Sequence, residues 1–226
     1  MDQPAGVWNF VRGLERFSLC DWPGRTCAVV FLGGCNLRCP TCHNAELAWD
    51  MHSLPVIPQH RLKVQLAERS RWLDGVTVTG GEPTIAPGLT ELLELLARLD
   101  LPVKLDSNGM RPAVVRELLH SGLVDTFAVD IKGPFELYPQ LTGGAVSAAQ
   151  AAENLGAILD MARANPRRFY FRTTTVPALT EDDVDTARSY LPRGFSLTLQ
   201  DYVPPRRIVH ALSDHEERRP VGDLVH

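Results

Sequence analysis

The chain has 226 residues, of which 44% are hydrophobic and 22% are charged, proportions that predict one globular domain over residues 1–226 and exclude a disordered or repeat protein. Its net charge of -4, with both signs mixed along the sequence, lacks the basic footprint of a nucleic-acid-binding protein. No apolar run reaches the roughly 20 residues that span a bilayer, and the first residues do not resemble a secretion signal, so we expect a cytoplasmic protein with no membrane partner.

Six short runs rich in β-branched and apolar residues predict six strands along the chain. They cover Cys27 to Leu32, Val76 to Thr79, Val103 to Leu105, Thr126 to Ile131, Tyr170 to Val176 and Ser196 to Leu199. Residues 1–24 are interpreted as a lead-in and residues 204–226 as a tail, and both are expected to be surface segments. The mixed charges of the tail are interpreted as solvated, and no role is assigned to them.

Helical patterns follow every predicted strand except the last. Leu89 to Leu99 carry one apolar stripe. Ser147 with Gln150 forms a capping-box pattern, and Thr180 with Asp183 forms a weaker one. Because strands alternate with helices, and because six strands are few for a closed barrel, we predict an α/β fold with a partial (β/α)6 TIM-like barrel of parallel strands. A doubly wound sheet is the alternative.

Three cysteines, Cys35, Cys39 and Cys42, stand in one short loop directly after the first predicted strand. Three soft thiolates so close together suit an iron-sulfur cluster. With no fourth cysteine nearby, one iron of a cubane is left without a cysteine ligand and is open to a substrate. The loop therefore predicts a catalytic cluster.

Zinc and disulfides explain this loop less well. Structural zinc needs a fourth ligand, and His43 would have to provide it although its side chain follows Cys42 immediately. Disulfides are disfavoured because the chain has five cysteines, an odd number, and shows no sign of an oxidising compartment. The cysteines are expected to be reduced.

A dithiol oxidoreductase is a stronger alternative. It would use Cys39-Pro40-Thr41-Cys42 as the redox pair, with Thr175-Val176-Pro177 as a second signature. That fold is about half as long as this chain by the usual domain scale and has no use for Cys35. The two remaining cysteines, Cys20 and Cys27, are interpreted as small apolar residues outside the site.

Polar groups follow the end of every predicted strand, where a parallel α/β sheet places its chemistry. Each group alone has an ordinary explanation as a turn, a cap or an ion pair, which we favour for Gln200. Together on one rim they indicate a functional site. Besides the cysteine loop, these groups are Gly80-Gly81-Glu82-Pro83, Asp106-Ser107-Asn108-Gly109, Asp130 with Lys132, and Arg172, which the fifth predicted strand itself carries.

These motifs resemble the radical S-adenosylmethionine (radical SAM) superfamily in the Cys-x3-Cys-x2-Cys loop, the Gly-Gly-Glu turn and the partial barrel. Within that superfamily the chain is most similar to the glycyl-radical-enzyme activases, and among them to the anaerobic ribonucleoside-triphosphate reductase activating proteins. The resemblance covers roughly residues 13–203. The further motifs that carry it are Ser18 to Arg25, Cys42-His43-Asn44, Asp106 to Gly109, Asp130-Ile131-Lys132 and Arg172 to Pro177.

The resemblance implies a ligand for each part of the site. A single [4Fe-4S] cluster would be bound through three of its irons by Cys35, Cys39 and Cys42. The amino and carboxylate groups of SAM would chelate the fourth iron, and the SAM amino group would also meet Gly80, Gly81 and Glu82. The residues implied around the rest of SAM are Asn44, Asp106, Ser107, Asn108, Asp130, Lys132 and Arg172. In some activases an acidic pair that matches Asp106 and Asp130 also holds a monovalent cation.

The implied reaction is the reductive cleavage of SAM to methionine and a 5′-deoxyadenosyl radical, with flavodoxin or ferredoxin as the electron donor. The radical would abstract a hydrogen atom from a glycine of a partner glycyl radical enzyme, here anaerobic ribonucleotide reductase. Alternatives are a radical SAM enzyme that acts on a small molecule or peptide, and the dithiol oxidoreductase. One departure is Thr41, which stands where the superfamily usually has an aromatic residue beside the adenine.

Overall fold

The computed structural model describes residues 6–204, which form one seven-stranded sheet. The strands are β1 Val11–Ser18, β2 Cys27–Leu32, β3 Gly75–Gly80, β4 Val103–Ser107, β5 Thr126–Asp130, β6 Phe169–Thr175 and β7 Leu197–Asp201. Residues 1–5 of the predicted lead-in, and the predicted tail 204–226 apart from Pro204, lie outside the described residues.

Seven α-helices accompany the strands, and five short 3-10 turns lie between these elements in the described part. The helices are α1 Ala45–Trp49, α2 Gln59–Ala67, α3 Leu89–Ala97, α4 Pro112–Ser121, α5 Tyr138–Leu141, α6 Ala148–Ala164 and α7 Glu181–Ser189. The 3-10 turns are Gly6–Asn9, Met51–Ser53, Ser70–Trp72, Pro83–Ile85 and Phe135–Leu137. No helix within residues 6–204 is long and apolar enough to cross a membrane.

The strands follow one another across the sheet in chain order. Each neighbouring pair from β2 to β7 is parallel. A doubly wound sheet would reverse its strand order at a switch point, so the single direction of winding identifies a barrel-type sheet. Within residues 6–204 the sheet is open, with β1 and β7 as its edges. The prediction of an α/β fold with a partial barrel is confirmed.

The lead-in contains a strand that the sequence analysis missed. β1 pairs antiparallel with β2, and Val11 lies opposite Leu32. The side chains of Val7, Trp8 and Val11 are buried in the core, so this segment is part of the fold rather than a surface extension. The strand pattern is weak because β1 is an edge strand in which residues 15–17 are exposed and two of these three are charged, a common feature of sheet edges.

The two faces of the sheet differ because alternate residues along a strand point to opposite sides. On one face Val30, Val78 and Leu105 are neighbours across β2, β3 and β4, and they belong to the main core together with the leucines of α3. On the other face Thr77 lies in register with Lys104. Apart from a small apolar cluster around Val29 on β2, this second face is polar and leads to the carboxyl ends of the parallel strands.

Both predicted capping boxes are present at the helix starts. Ser147 accepts a hydrogen bond from the Gln150 backbone N–H at 3.2 Å at the start of α6. Thr180 accepts one from the Asp183 backbone N–H, also at 3.2 Å, at the start of α7. These bonds satisfy N–H groups that have no partner inside the helix, so each box fixes where its helix begins.

Candidate active site

The three cysteines lie in a loop that begins where β2 ends. The Cys42 N–H donates to the Cys39 carbonyl at 3.0 Å, which folds the second half of the loop into a turn. The Leu37 N–H donates to Cys35 Sγ at 3.4 Å, and the Leu37 side chain is anchored in the core. All three thiols are partly buried. The loop therefore holds them at the rim of the sheet, next to apolar side chains of the main core.

The turn after β3 packs directly against the segment that leads into the cysteine loop. The Gly81 N–H donates to the Leu32 carbonyl, and the Glu82 N–H donates to the Gly34 carbonyl, each at 2.8 Å. A Cβ atom at Gly81 would lie 1.9 Å from the Gly34 oxygen, so only glycine permits this approach. The Asn44 amide donates to the Gly80 carbonyl at 3.3 Å and closes the contact from the other side.

Glu82 is almost completely buried beneath this turn. Its Oε1 accepts from the Thr84 hydroxyl at 2.6 Å and from the Ser107 hydroxyl at 2.9 Å. Its Oε2 accepts from the Asn108 N–H at 2.7 Å. Burial raises the pKa of the carboxyl, and these donors oppose the shift. The Asn108 amide in turn donates to Asn36 at 2.8 Å, which joins the end of β4 to the cysteine loop.

Five alternating charges, which we call the charged wall, line the polar face next to the cysteines. They are Lys104, Asp106, Arg172, Asp130 and Lys132. Lys104 pairs with Oδ1 of Asp106, whose Oδ2 lies 3.1 Å from Nη2 of Arg172. Nε of Arg172 lies 2.6 Å from Oδ1 of Asp130, and Nζ of Lys132 lies 2.8 Å from Oδ2 of the same carboxylate.

The charged wall fixes the charge states of its own members. Burial alone would raise the pKa of Asp130, but the positive charges of Arg172 and Lys132 outweigh it and hold that pKa well below its ordinary value. For Lys132, burial lowers the pKa, and the charge of Asp130 more than reverses this. Asp130 is therefore an anion and Lys132 a cation at neutral pH.

Lys132 also connects the charged wall to the cysteines. Burial raises the pKa of all three thiols, that of Cys35 to about 11. The positive charge of Lys132 lowers the pKa of each thiol and so opposes this effect. A metal centre that needs thiolates must therefore release protons when it binds here, and Lys132 favours that step.

The structure brings the predicted site residues together on one rim. Besides the three cysteines they are Asn44, Gly80, Gly81, Glu82, Asp106, Ser107, Asn108, Asp130, Lys132 and Arg172. Cys20 and Cys27 are elsewhere: Cys20 is exposed in the turn after β1, and Cys27 is buried at the start of β2. His43, next to Cys42, contacts the segment after β7, with Nδ1 at 3.3 Å from the Val203 carbonyl oxygen.

Sequence reasoning missed three residues that support this rim. Lys104 completes the charged wall, Thr84 holds Glu82, and Asn36 accepts from Asn108. One signal was available for Lys104, since a lysine two residues before Asp106 in a predicted strand must share its face. Thr84 and Asn36 gave no comparable signal because their contacts depend on how two loops meet.

The radical SAM superfamily profile matches residues 29–191 of the chain, a span that includes the cysteine loop, the Gly-Gly-Glu turn and the charged wall. The chain belongs to the radical SAM superfamily.

Three curated relatives are similar to this radical SAM protein. A Methanocaldococcus jannaschii protein named as a candidate glycyl-radical enzyme activating enzyme is 30% identical over 182 residues, 77% of this chain and 72% of the relative. A pyruvate formate-lyase-activating enzyme of Clostridium pasteurianum is 31% identical over 188 residues, with the same coverage. A 7-carboxy-7-deazaguanine synthase of Hyperthermus butylicus is 38% identical over 89 residues, only 39% of this chain and 37% of the relative.

Solved structures share the fold of this radical SAM protein. Streptococcus suis SuiB bound to the precursor peptide SuiA superposes with a TM-score of 0.57 at 16% identity, over 77% of this chain and 39% of SuiB. The chain therefore spans about two fifths of that structure. At this identity the likeness concerns the fold alone.

The donor set of the site fits the [4Fe-4S] cluster that the superfamily implies. Three thiols stand on one loop, and Lys132 favours their deprotonation. Within residues 6–204, no three His, Cys, Asp or Glu side chains are grouped as they would be around a single metal ion. A cubane instead takes each cysteine at a separate iron, so it does not require the thiols to converge on one point.

Proposed function

We propose that the chain is an activase of a glycyl radical enzyme. The observation that carries the proposal is the direct packing of the cysteine loop against the Gly-Gly-Glu turn beside the charged wall. The names of the two relatives matched over most of their length support it, since both describe activating enzymes of this kind. The cluster, when bound, supplies the electron that cleaves SAM into methionine and a 5′-deoxyadenosyl radical.

The chain's own residues would bind and orient SAM at this rim. Lys132 and Arg172 present cationic donors suited to a carboxylate, and the backbone of Gly80 and Gly81 is held beside the thiols for the amino group. Glu82 Oε2 accepts only the Asn108 N–H among the described residues, so it has capacity for an ammonium donor. The residues proposed for the remaining contacts are Asn44, Asp106, Ser107, Asn108 and Asp130.

The partner enzyme, the electron donor and the cellular location are also part of the proposal. We propose that the target is anaerobic ribonucleotide reductase, that flavodoxin or ferredoxin provides the electron, and that a single domain over residues 1–226 works in the cytoplasm. A monovalent cation at Asp106 and Asp130 would compete with the guanidinium of Arg172, which contacts both carboxylates. Arg172 would therefore have to move if such a cation bound.

A second candidate is a radical SAM enzyme that acts on a small molecule. The match to a 7-carboxy-7-deazaguanine synthase favours it. That match covers only 37% of the relative, whereas the matches to the two activating enzymes each cover 72% of the relative.

The test is to reduce the reconstituted protein anaerobically and mix it with SAM and a candidate glycyl radical enzyme. Electron paramagnetic resonance should show a glycyl radical on the partner, in an amount that follows 5′-deoxyadenosine formation. The matched control is a partner whose radical-bearing glycine is replaced by alanine. If SAM is cleaved but no candidate glycyl radical enzyme acquires a radical, the result would favour the enzyme that acts on a small molecule.

A further inference from the structure

Lys104 is a buried charge outside the residues proposed to contact SAM. It lies on β4 with a fully buried side chain, and its register neighbours are Thr77 on β3 and Thr126 on β5. Its ammonium group pairs with Asp106 and lies 5.9 Å from the centre of the Tyr170 ring. Burying an ammonium is costly even when it is paired, and an apolar side chain of similar size would serve packing better.

The position of Lys104 matters because Asp106 uses both carboxylate oxygens. Oδ1 pairs with Lys104, and Oδ2 lies 3.1 Å from Arg172. Arg172 is thereby held between Asp106 and Asp130. Without Lys104, Oδ1 would lose its partner, and Asp106 could turn both oxygens toward Arg172. The guanidinium of Arg172 would then move away from Asp130. It would also move away from Lys132, which contacts the same carboxylate.

The charge balance of the charged wall points the same way. Three cationic and two anionic side chains leave one positive charge over, next to a rim of partly buried thiols. A single surplus charge in a mostly buried setting favours a ligand with one carboxylate. Where that charge is presented depends on Arg172, whose guanidinium contacts both carboxylates of the charged wall.

We propose that Lys104 is a positioning residue, which acts through Asp106 to hold the guanidinium of Arg172 where the carboxylate of SAM binds. The inference rests on the proposed function, because it takes SAM as the ligand of the charged wall. Lys104 itself is fully buried and does not reach the rim. Lys104 acts only through its ion pair, so its effect should vanish when Asp106 is also neutralised.

A double-mutant cycle tests this dependence in the anaerobically reconstituted protein. The variants are Lys104→Met, Asp106→Asn and the double variant, and Lys63→Met is the control because it makes the same substitution at an exposed lysine on α2. We expect Lys104→Met to raise the Kd for SAM about tenfold, the effect of weakening a charge-assisted contact. Iron content should stay at the wild-type value, and Lys63→Met should bind SAM like the wild type.

The double variant carries the decisive comparison. If Lys104 acts through Asp106, the double variant should bind SAM no more weakly than Asp106→Asn alone. The reason is that the binding free-energy changes of two substitutions are not additive when one residue acts through the other. Additive losses in the double variant, or wild-type affinity in Lys104→Met, would overturn the proposal.

A spectroscopic measurement separates positioning from a merely structural role. The electron paramagnetic resonance spectrum of the reduced cluster should be the same in Lys104→Met as in the wild type before SAM is added. The change that SAM causes in this spectrum should require a higher SAM concentration in the variant. If Lys104→Met does not assemble the cluster, Lys104→Gln takes its place; because it removes the charge but keeps a donor toward Asp106, it should weaken SAM binding measurably but by less than about tenfold, and wild-type affinity would overturn the proposal. Failure of both variants to assemble would mean that Lys104 only stabilises the fold, which overturns the proposal. Failure of the wild type to bind SAM would instead refute the proposed function.

Discussion

At the scale of single residues, the cysteines differ in what surrounds them. Cys39 and its two partners stand partly buried on a loop whose backbone is tied to the turn after β3. Cys20 is exposed after β1, near the hydroxyl of Ser18. Only the first kind of environment combines several thiols with a nearby cation, so the two positions should respond differently to the same substitution.

We predict that Cys39→Ala abolishes the cluster, whereas Cys20→Ala leaves about four irons and four sulfides per chain, the content of a cubane. The reason is that Cys39 supplies one of the three thiolate ligands, and the two remaining thiolates are too few to hold the cluster. Iron and sulfide analysis with the visible absorption spectrum measures this. An equal loss of iron in both variants would show that the ligands are misassigned.

A second prediction at this scale concerns Glu82. Glu82→Gln keeps the size of the side chain but removes its charge, so we expect weaker SAM binding by about tenfold with unchanged iron content. Equilibrium binding of SAM to the reconstituted protein measures it. Glu153→Gln on the exposed surface of α6 is the matched control. Equal SAM affinity in Glu82→Gln and wild type would exclude a role for this carboxylate in binding SAM.

At the scale of elements, helix starts are set locally by their first residues. The hydroxyl of Ser147 and the side chain of Gln150 satisfy each other's backbone N–H groups at the start of α6. This helix packs Leu155 and Ile158 into the main core, so its N-terminal cap supports a large buried surface.

We therefore predict that Ser147→Ala lowers the free energy of unfolding by about 1 kcal/mol, the usual cost of losing an N-cap. Urea unfolding followed by circular dichroism measures the change. Ser189→Ala at the end of α7 is the control and should change the stability by less than about 0.5 kcal/mol. A loss at Ser147 as small as that at Ser189 would contradict the role of the capping box.

An element can be predicted from the sequence when a single local pattern of residues determines it. β2 has the predicted bounds because a continuous apolar run is bordered by turn residues. β1 was missed because its pairing with β2, rather than its own composition, makes it a strand. The same division holds in the site. The end of β3 locates Glu82, and Arg172 lies within a predicted strand, but the contact of Glu82 with Thr84 arises only when the chain is folded.

At the scale of the whole molecule, the charged wall joins β4, β5 and β6 through ion pairs that cross the polar face. These pairs make the stability of the sheet depend on the charge of Asp130. Its pKa in the folded chain lies below the ordinary value of 3.8. The stabilisation from Asp130 is therefore complete at pH values well above 3.8 and is lost as the pH falls through the lowered pKa of the folded state.

We predict that the stability advantage of the wild type over Asp130→Asn shrinks as the pH falls from about 6 to about 3. Urea unfolding of the metal-free proteins at a series of pH values measures the difference without interference from the acid-labile cluster. Asp160→Asn, at an exposed ion pair on α6, should show little pH-dependent difference from the wild type. A difference between wild type and Asp130→Asn that stays constant over this range would contradict the assigned charge state of Asp130.

The central claim is that the chain holds a cluster with three cysteines and leaves one iron for SAM. The most direct measurement is electron-nuclear double resonance of the reduced cluster with SAM labelled with 15N in its amino group and 17O in its carboxylate. We predict hyperfine coupling of both labels to the cluster in the wild type. A cluster that shows no coupling to labelled SAM, and instead carries a histidine nitrogen or a fourth cysteine at that iron, would contradict the claim.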